Sequence, residues 1–271
     1  MASVFSFHAP SWFFPAMSKL PKEHQFIDLS DYGRPIATRI ARSLKDTSLT
    51  PIDVTIGFIV SGLIGIFCML NHFYWAAAFF LVFKSILDAA DGELARMKNS
   101  PSHTGRYLDS IADILLNFLI FVAIWHLCDG NLALSLLAFM GLQLQGTLYN
   151  YYYVILRNRH KGDTTSRVFE NGAPKALRGE KQKNVDTLFA IYTLFYGFFD
   201  RIIYHLDRHA IHGKHMPKWF MTCLSTFGLG FQLLVIGLFL ALGYKTYIVP
   251  FFLGYTLLVF VFIGFRKLIN L

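Results

Sequence analysis

Long apolar stretches recur along the chain with polar breaks between them. Six reach or approach the roughly 20 residues that a helix needs to cross a bilayer: 52–70, 73–87, 107–128, 132–156, 219–242 and 247–265. The second is short, and its helix is expected to continue through Asp88 into the headgroup layer. Breaks at 71–72, 129–131 and 243–246 are tight, so the helices they join are expected to be antiparallel. Residues 1–29, aromatic and proline-containing, read as an irregular or interfacial leader. From Ser30 to Lys45, Ile36, Ile40 and Leu44 recur every four residues among Arg34, Arg39 and Arg42. That pattern fits a helix lying on a membrane surface or packed on the rest of the protein. The expected fold is all-α: a polytopic membrane protein with six transmembrane helices plus an N-terminal amphipathic interfacial helix. It divides into segment 1–51 and a membrane domain 52–271 that includes a polar insertion, 157–218.

Composition agrees. The chain is 54% hydrophobic and 15% charged, with mean hydropathy +0.44, whereas soluble domains are about 25% charged. The net charge of +8 does not imply nucleic acid, because no basic stripe interleaves with stacking aromatics. Basic residues instead flank the apolar runs, which suits an anionic membrane face and phosphate-bearing substrates. Apart from Lys84 and Lys245, all 25 Lys and Arg fall in segments 1–51, 88–108, 157–218 and 266–271. With six spans these segments share one side, so the positive-inside rule puts both termini and the insertion in the cytoplasm. A seventh span at 187–206 would strand Arg208, Lys214 and Lys218 outside, so that stretch is expected to lie on the membrane. Cys68, Cys128 and Cys223, in or beside apolar runs without paired spacing, read as buried small hydrophobes. No basic, apolar and small-residue sequence at the start suggests a signal peptide.

The chemistry concentrates between the second and third runs. Asp88 and Asp91 are three residues apart, and Asp109 and Asp113 four apart, so on helices each pair shares a face. Charges at a membrane boundary are costly and are functional candidates. Four convergent carboxylates need cations to remain ionised together. All-oxygen ligands favour Mg²⁺ or Mn²⁺, then Ca²⁺, and two ions would match known phosphoryl-transfer sites. Gly92 permits close backbone approach, Ala95 keeps the next turn clear, Arg96 offers a phosphate-binding fork, and Gly105 is expected to turn the chain into the third span.

Asp88-x2-Asp91-Gly92-x2-Ala95-Arg96-x8-Gly105-x3-Asp109-x3-Asp113 resembles the signature of the CDP-alcohol phosphatidyltransferase family at every defined position. Residues 49–55, ending in Thr55, are similar to that family's entry into its first span, with Ile52 where an Asn commonly stands. The resemblance implies a six-helix, usually dimeric enzyme with a cytoplasm-facing cavity. In such an enzyme a CDP-linked donor binds over two divalent ions, and an alcohol hydroxyl attacks the β-phosphorus to release CMP. It further implies metal ligation by Asp88, Asp91, Asp109 and Asp113, with Asp113 also the general base. Gly92, Ala95, Arg96, Gly105 and Thr55 would then shape the nucleotide and pyrophosphate pocket.

Other features are weaker signals. Lys84, one turn before Asp88, suits either an ion pair or a phosphate contact. Arg157 and Arg159, with Lys161 and Arg167, suit either topology or an anionic acceptor. His205, His209, His212 and His215 lie in a basic segment and read as solvated, not as a metal cluster. Tyr149, Tyr151, Tyr152 and Tyr153 read as an interfacial aromatic belt. The favoured reaction is CDP-diacylglycerol with a soluble polar alcohol, in phospholipid biosynthesis. Its alternative is CDP-choline or CDP-ethanolamine headgroup transfer to a diradylglycerol or ceramide. Prenyl transfer lacks a second aspartate motif. A divalent-cation transporter, the alternative of another class, would place its aspartates near the midplane instead of at one boundary.

Overall fold

A computed structural model describes residues 20–160, 172–213 and 216–269, and among these residues there is no strand. The helices are α1 (Arg34–Leu44), α2 (Pro51–Leu70), α3 (Tyr74–Met97), α4 (His103–Cys128), α5 (Leu132–Arg159), α6 (Gln182–Leu206), α7 (Lys218–Leu224), α8 (Leu229–Ala241), α9 (Ile248–Thr256) and α10 (Leu258–Ile269). The first part of the expected leader, and Lys161, Arg167, Lys214 and His215, lie outside the described residues.

Local chemistry explains the helix ends. Thr50 and Asp53 form a reciprocal capping box at the start of α2, with Pro51 at its first position. Asp129 ends α4 in the left-handed region at φ 45°, and the Asn131 side-chain Oδ1 accepts from the Leu134 N–H to cap α5. This turn makes α4 and α5 antiparallel neighbours. Asn99, at φ 49°, makes the corresponding turn between α3 and α4. The expectation for Gly105 is thereby corrected: it lies inside the first turn of α4, and Asn tolerates the left-handed backbone.

Among the described residues, α2, α4, α5 and Lys245–Ile269 are each long and apolar enough to cross a membrane, and α7 with α8 makes a fifth if that bent pair is one span. The chain is a multi-pass integral membrane protein. α3 is comparably long but carries Lys84 near its middle and Asp88 and Asp91 in its C-terminal half. It packs chiefly on α2, then on α8 and α1. Small residues set these crossings. The Ser61 hydroxyl donates to the Phe80 carbonyl at 2.9 Å, and a Cβ on Gly65 of α2 would lie 3.3 Å from Leu81, as one on Gly237 of α8 would from Ala78.

The expected uninterrupted span 219–242 is instead bent by 52° at a 3₁₀ turn, Ser225–Phe227, before Gly228. A second 3₁₀ turn, Leu29–Asp31, sits in this elbow. The Leu29 N–H donates to Ser225 Oγ at 2.8 Å, and a Cβ on Gly228 or Gly230 would run into Ser30. The glycines therefore admit the N-terminal segment between the two halves.

α1 buries Ala37 and Ala41 against α3, with Ile40 and Leu44 partly buried beside them and Ile36 exposed. Two further expectations change. Tyr149, Tyr151 and Tyr152 are buried instead of forming a belt. Their hydroxyls donate to the Asp28 carboxylate, the Asp207 carbonyl and the Asp207 carboxylate respectively. Of the cysteines only Cys68 is buried; Cys128 is partly exposed and Cys223 exposed. Helix α6 crosses α4 and α5 near one end of the bundle: Tyr107 meets Phe189 and Tyr192, and the Tyr196 hydroxyl donates to the Ser110 carbonyl.

Candidate divalent-cation site

Because α3 ends and α4 begins at one end of the bundle, their acidic faces meet there. Carboxylate oxygens of Asp88, Asp91 and Asp109 lie within 4.8 Å of one another. Asp91 is buried, and the Thr55 hydroxyl on α2 donates to its Oδ2 at 2.7 Å. Asp109 Oδ1 is buried without a hydrogen-bond partner. Asp113 stands apart from this trio: Lys84, fully buried on α3, donates to its Oδ1 and forms an ion pair with it. Of the four aspartates, then, three converge and the fourth faces an ammonium.

The intervening residues close the site's rim. Arg96 donates to Glu93 at 2.6 Å, and Arg34 from α1 reaches the same oxygen at 3.2 Å. A Cβ on Gly92 would lie 3.6 Å from Arg96 Nη1, so the guanidinium lies close over this glycine. The Arg96 Nε is buried without a partner. Ala95 follows one turn after Asp91, partly buried. Lys98 donates to the Thr47 and Leu49 carbonyls, each at 2.7 Å, and ties the end of α3 to the approach to α2.

Glu180, from the insertion, was invisible to sequence reasoning. Its Oε1 accepts from the Ser102 hydroxyl and the Thr104 N–H, both at 2.7 Å, while Ser102 Oγ accepts from the Gly105 N–H. Glu180 thus caps the helix that carries Asp109 and Asp113, where a negative charge also complements the helix dipole. Burial alone would raise its carboxyl, but hydrogen bonds from Thr104, Ser102 and Leu177 hold it below the usual carboxylate range. A depressed folded-state value means stability that is present at neutral pH and lost as pH falls below about 4.3. Glu180→Ala is expected to cost about 1–2 kcal/mol at pH 7, with the deficit shrinking toward pH 4 in thermal melts of the detergent-solubilised protein. An equal deficit at both values would refute the charge argument.

Two predicted contacts lie elsewhere. Arg159 donates to the Ala210 and Ile211 carbonyls, at 2.6 and 3.1 Å, pinning the turn after α6. Arg157 is buried over the Tyr153 ring. His205, His209 and His212 are exposed and contribute no metal-holding group among the described residues.

The donor set fits a hard divalent cation: three clustered oxygen ligands, one buried oxygen without a hydrogen-bond partner, and no ion pair to Asp88, Asp91 or Asp109 among the described residues. The class defined by fold and site is thus a helical membrane protein with a carboxylate cluster able to hold a cation between two antiparallel helices. The family model of the CDP-alcohol phosphatidyltransferases matches residues 49–263, and the chain belongs to that family. It is 34% identical over 111 residues, 40% of its own length, to the Bifunctional IPC transferase and DIPP synthase of Archaeoglobus fulgidus. It is 40% identical over 65 residues, 24% of its length, to a CDP-diacylglycerol–serine O-phosphatidyltransferase of Bacillus subtilis. These matches span 22% and 37% of the two relatives.

Proposed function

We propose that the protein transfers a phosphatidyl group from CDP-diacylglycerol to the hydroxyl of a soluble polar alcohol, releasing CMP, in phospholipid biosynthesis. The observation that carries this reading is the convergence of Asp88, Asp91 and Asp109, within 4.8 Å, in a chain of this family. The name of the Bacillus subtilis relative favours the diacylglycerol donor.

Asp88, Asp91 and Asp109 would hold Mg²⁺ or Mn²⁺, with a second ion toward Asp113. Bound there, the ions would offset charge on the transferring phosphoryl group and on departing CMP. The protein's own groups do the rest. Thr55 fixes the Asp91 carboxylate. Gly92 leaves the backbone approachable, and the Arg96 fork beside it suits a phosphate. Gly105 and Ala95 keep the floor of the nucleotide pocket small. Asp113, oriented by Lys84, takes the acceptor's hydroxyl proton as its oxygen bonds to the β-phosphorus. The bond from that phosphorus to the bridging oxygen breaks, and CMP leaves with the electron pair.

Six spans, with α3 as the sixth, would put both termini and the site on the cytoplasmic side, where all Lys and Arg except Lys84 and Lys245 would gather. Helix α1 and the leader would lie at that interface, and the protein would act as a homodimer, as the family resemblance implies. The test is to incubate purified protein and Mn²⁺ with CDP-diacylglycerol or CDP-choline against a panel of acceptor alcohols, following CMP and the product lipid by mass spectrometry. Expected is ion-dependent CMP formation with CDP-diacylglycerol; its absence with every pair tried would refute the reading.

A further inference from the structure

We propose that Lys84 is a built-in cation of this site. Its ammonium holds Asp113 where a divalent ion would otherwise bind, so the substrate-free chain takes one ion tightly and a second only in competition with Lys84. The inference rests on the metal reading above and concerns how the chain divides its own carboxylates.

Lys84 is 0% exposed, its ammonium lies 5.0 Å from the Phe58 ring centroid, and its ion pair is with Asp113. A lysine inside an apolar helix bundle is costly unless a partner offsets its desolvation. Of the other basic groups near this end, Arg34 and Arg96 donate to Glu93, Lys98 to backbone carbonyls, and Arg106 to the Tyr107 hydroxyl. Among the described residues Lys84 is thus the basic side chain that forms an ion pair with one of the four carboxylates, leaving three clustered and Asp113 paired with it.

Charge arithmetic gives this division a consequence. Four carboxylates against one ammonium leave three formal negative charges. One divalent ion on the trio reduces that to one, whereas two ions would leave the desolvated pocket net positive. A second ion is then favoured only when an anion, such as the donor's diphosphate, arrives as well. Removing the ammonium shifts the balance: four carboxylates and two divalent ions are neutral. A lysine serving only to staple α3 to α4 would affect stability without affecting ion number.

The experiment is a Mn²⁺ titration of the full chain in detergent, without nucleotide, followed by electron paramagnetic resonance. Wild type is expected to bind one Mn²⁺ per chain tightly and a second at least about tenfold more weakly. Lys84→Met is expected to bind two tightly, with the spectrum of a coupled pair. Its melting temperature should fall below wild type without metal and rise further than wild type when Mn²⁺ is added. Two equally tight ions in wild type would overturn the proposal, and that count decides the matter even if Lys84→Met does not fold. A folded Lys84→Met that still binds a single tight ion would also overturn it, leaving Lys84 as a helix staple. Wild type that binds no Mn²⁺ would sink the metal reading and this inference together, whereas two tight ions would sink only the inference.

Discussion

Asp113→Asn is expected to slow CMP release by about 10²- to 10⁴-fold, the range for loss of a positioned general base, while leaving the first divalent ion in place. The separation follows from geometry. Asp88, Asp91 and Asp109 gather within 4.8 Å of one another, and Asp113 is ion-paired with Lys84. The amide is nearly isosteric with the carboxylate but cannot take the acceptor's proton. Its effect should therefore appear in kcat, with modest change in KM for the donor and little change in tight Mn²⁺ binding. Asp91→Asn should behave differently. It removes a ligand oxygen and the acceptor for the Thr55 hydroxyl, so ion affinity and activity should fall together. If Asp113→Asn lost the tight ion as completely as Asp91→Asn, Asp113 would belong to the first ion's ligand set and the division of roles argued above would be wrong. If it turned over at the wild-type rate, the proton would have to go to another group.

The sequence exposed the ends of most helices and the residues of the acidic site for the same reason: both are written in local spacing. The tight breaks at 71–72 and 129–131 separate the apolar runs where the helices end, and aspartates three and four apart share a face whatever surrounds them. What stayed hidden depends on contacts between segments remote in sequence. The elbow before α8 exists because Gly228 and Gly230 admit Ser30, some two hundred residues earlier, and no property of the run 219–242 announces that guest. On α1, Ala37 and Ala41 make the closest approach to α3, with Ile40 and Leu44 packed beside them, a detail that depends on α3 and not on α1's own periodicity. Glu180 read as one charge among several in a basic insertion until the fold set it against Ser102 and Thr104. The four tyrosines show the limit most clearly. Their position at a membrane boundary suggested an aromatic belt, yet Tyr149, Tyr151 and Tyr152 are covered by the insertion and the N-terminal segment, which supply Asp207 and Asp28 as acceptors. Each of these features still affects the acidic end, because the elbow, the cap and the tyrosines fix the segments that frame α3 and α4.

Arg266→Met is expected to destabilise the protein by about 3–5 kcal/mol, the cost of breaking a buried ion pair by removing one partner. Asp207 is 1% exposed and Arg266 4% exposed. The guanidinium donates from Nε to Asp207 Oδ2 at 2.7 Å and from Nη2 to the other oxygen, a two-point grip that lysine could not reproduce. The Tyr152 hydroxyl donates to the same carboxylate at 2.5 Å, and the Tyr151 hydroxyl to the Asp207 carbonyl at 3.1 Å. Three elements therefore meet on one side chain: the end of α6, the last turns of α5 and the last turn of α10. Methionine preserves most of the arginine stem's volume, so the loss should be electrostatic and not a packing defect. It leaves Asp207 buried with only a phenol facing it. For a chain of this size the corresponding drop in melting temperature is on the order of 10 °C, read by thermal unfolding in detergent. The double variant Arg266→Met with Asp207→Asn should recover part of the drop, because no uncompensated charge remains in the interior. A single variant that melted within about 2 °C of wild type would mean that water or lipid headgroups already solvate Asp207, and that α6 is held by its aromatic contacts with α4 instead.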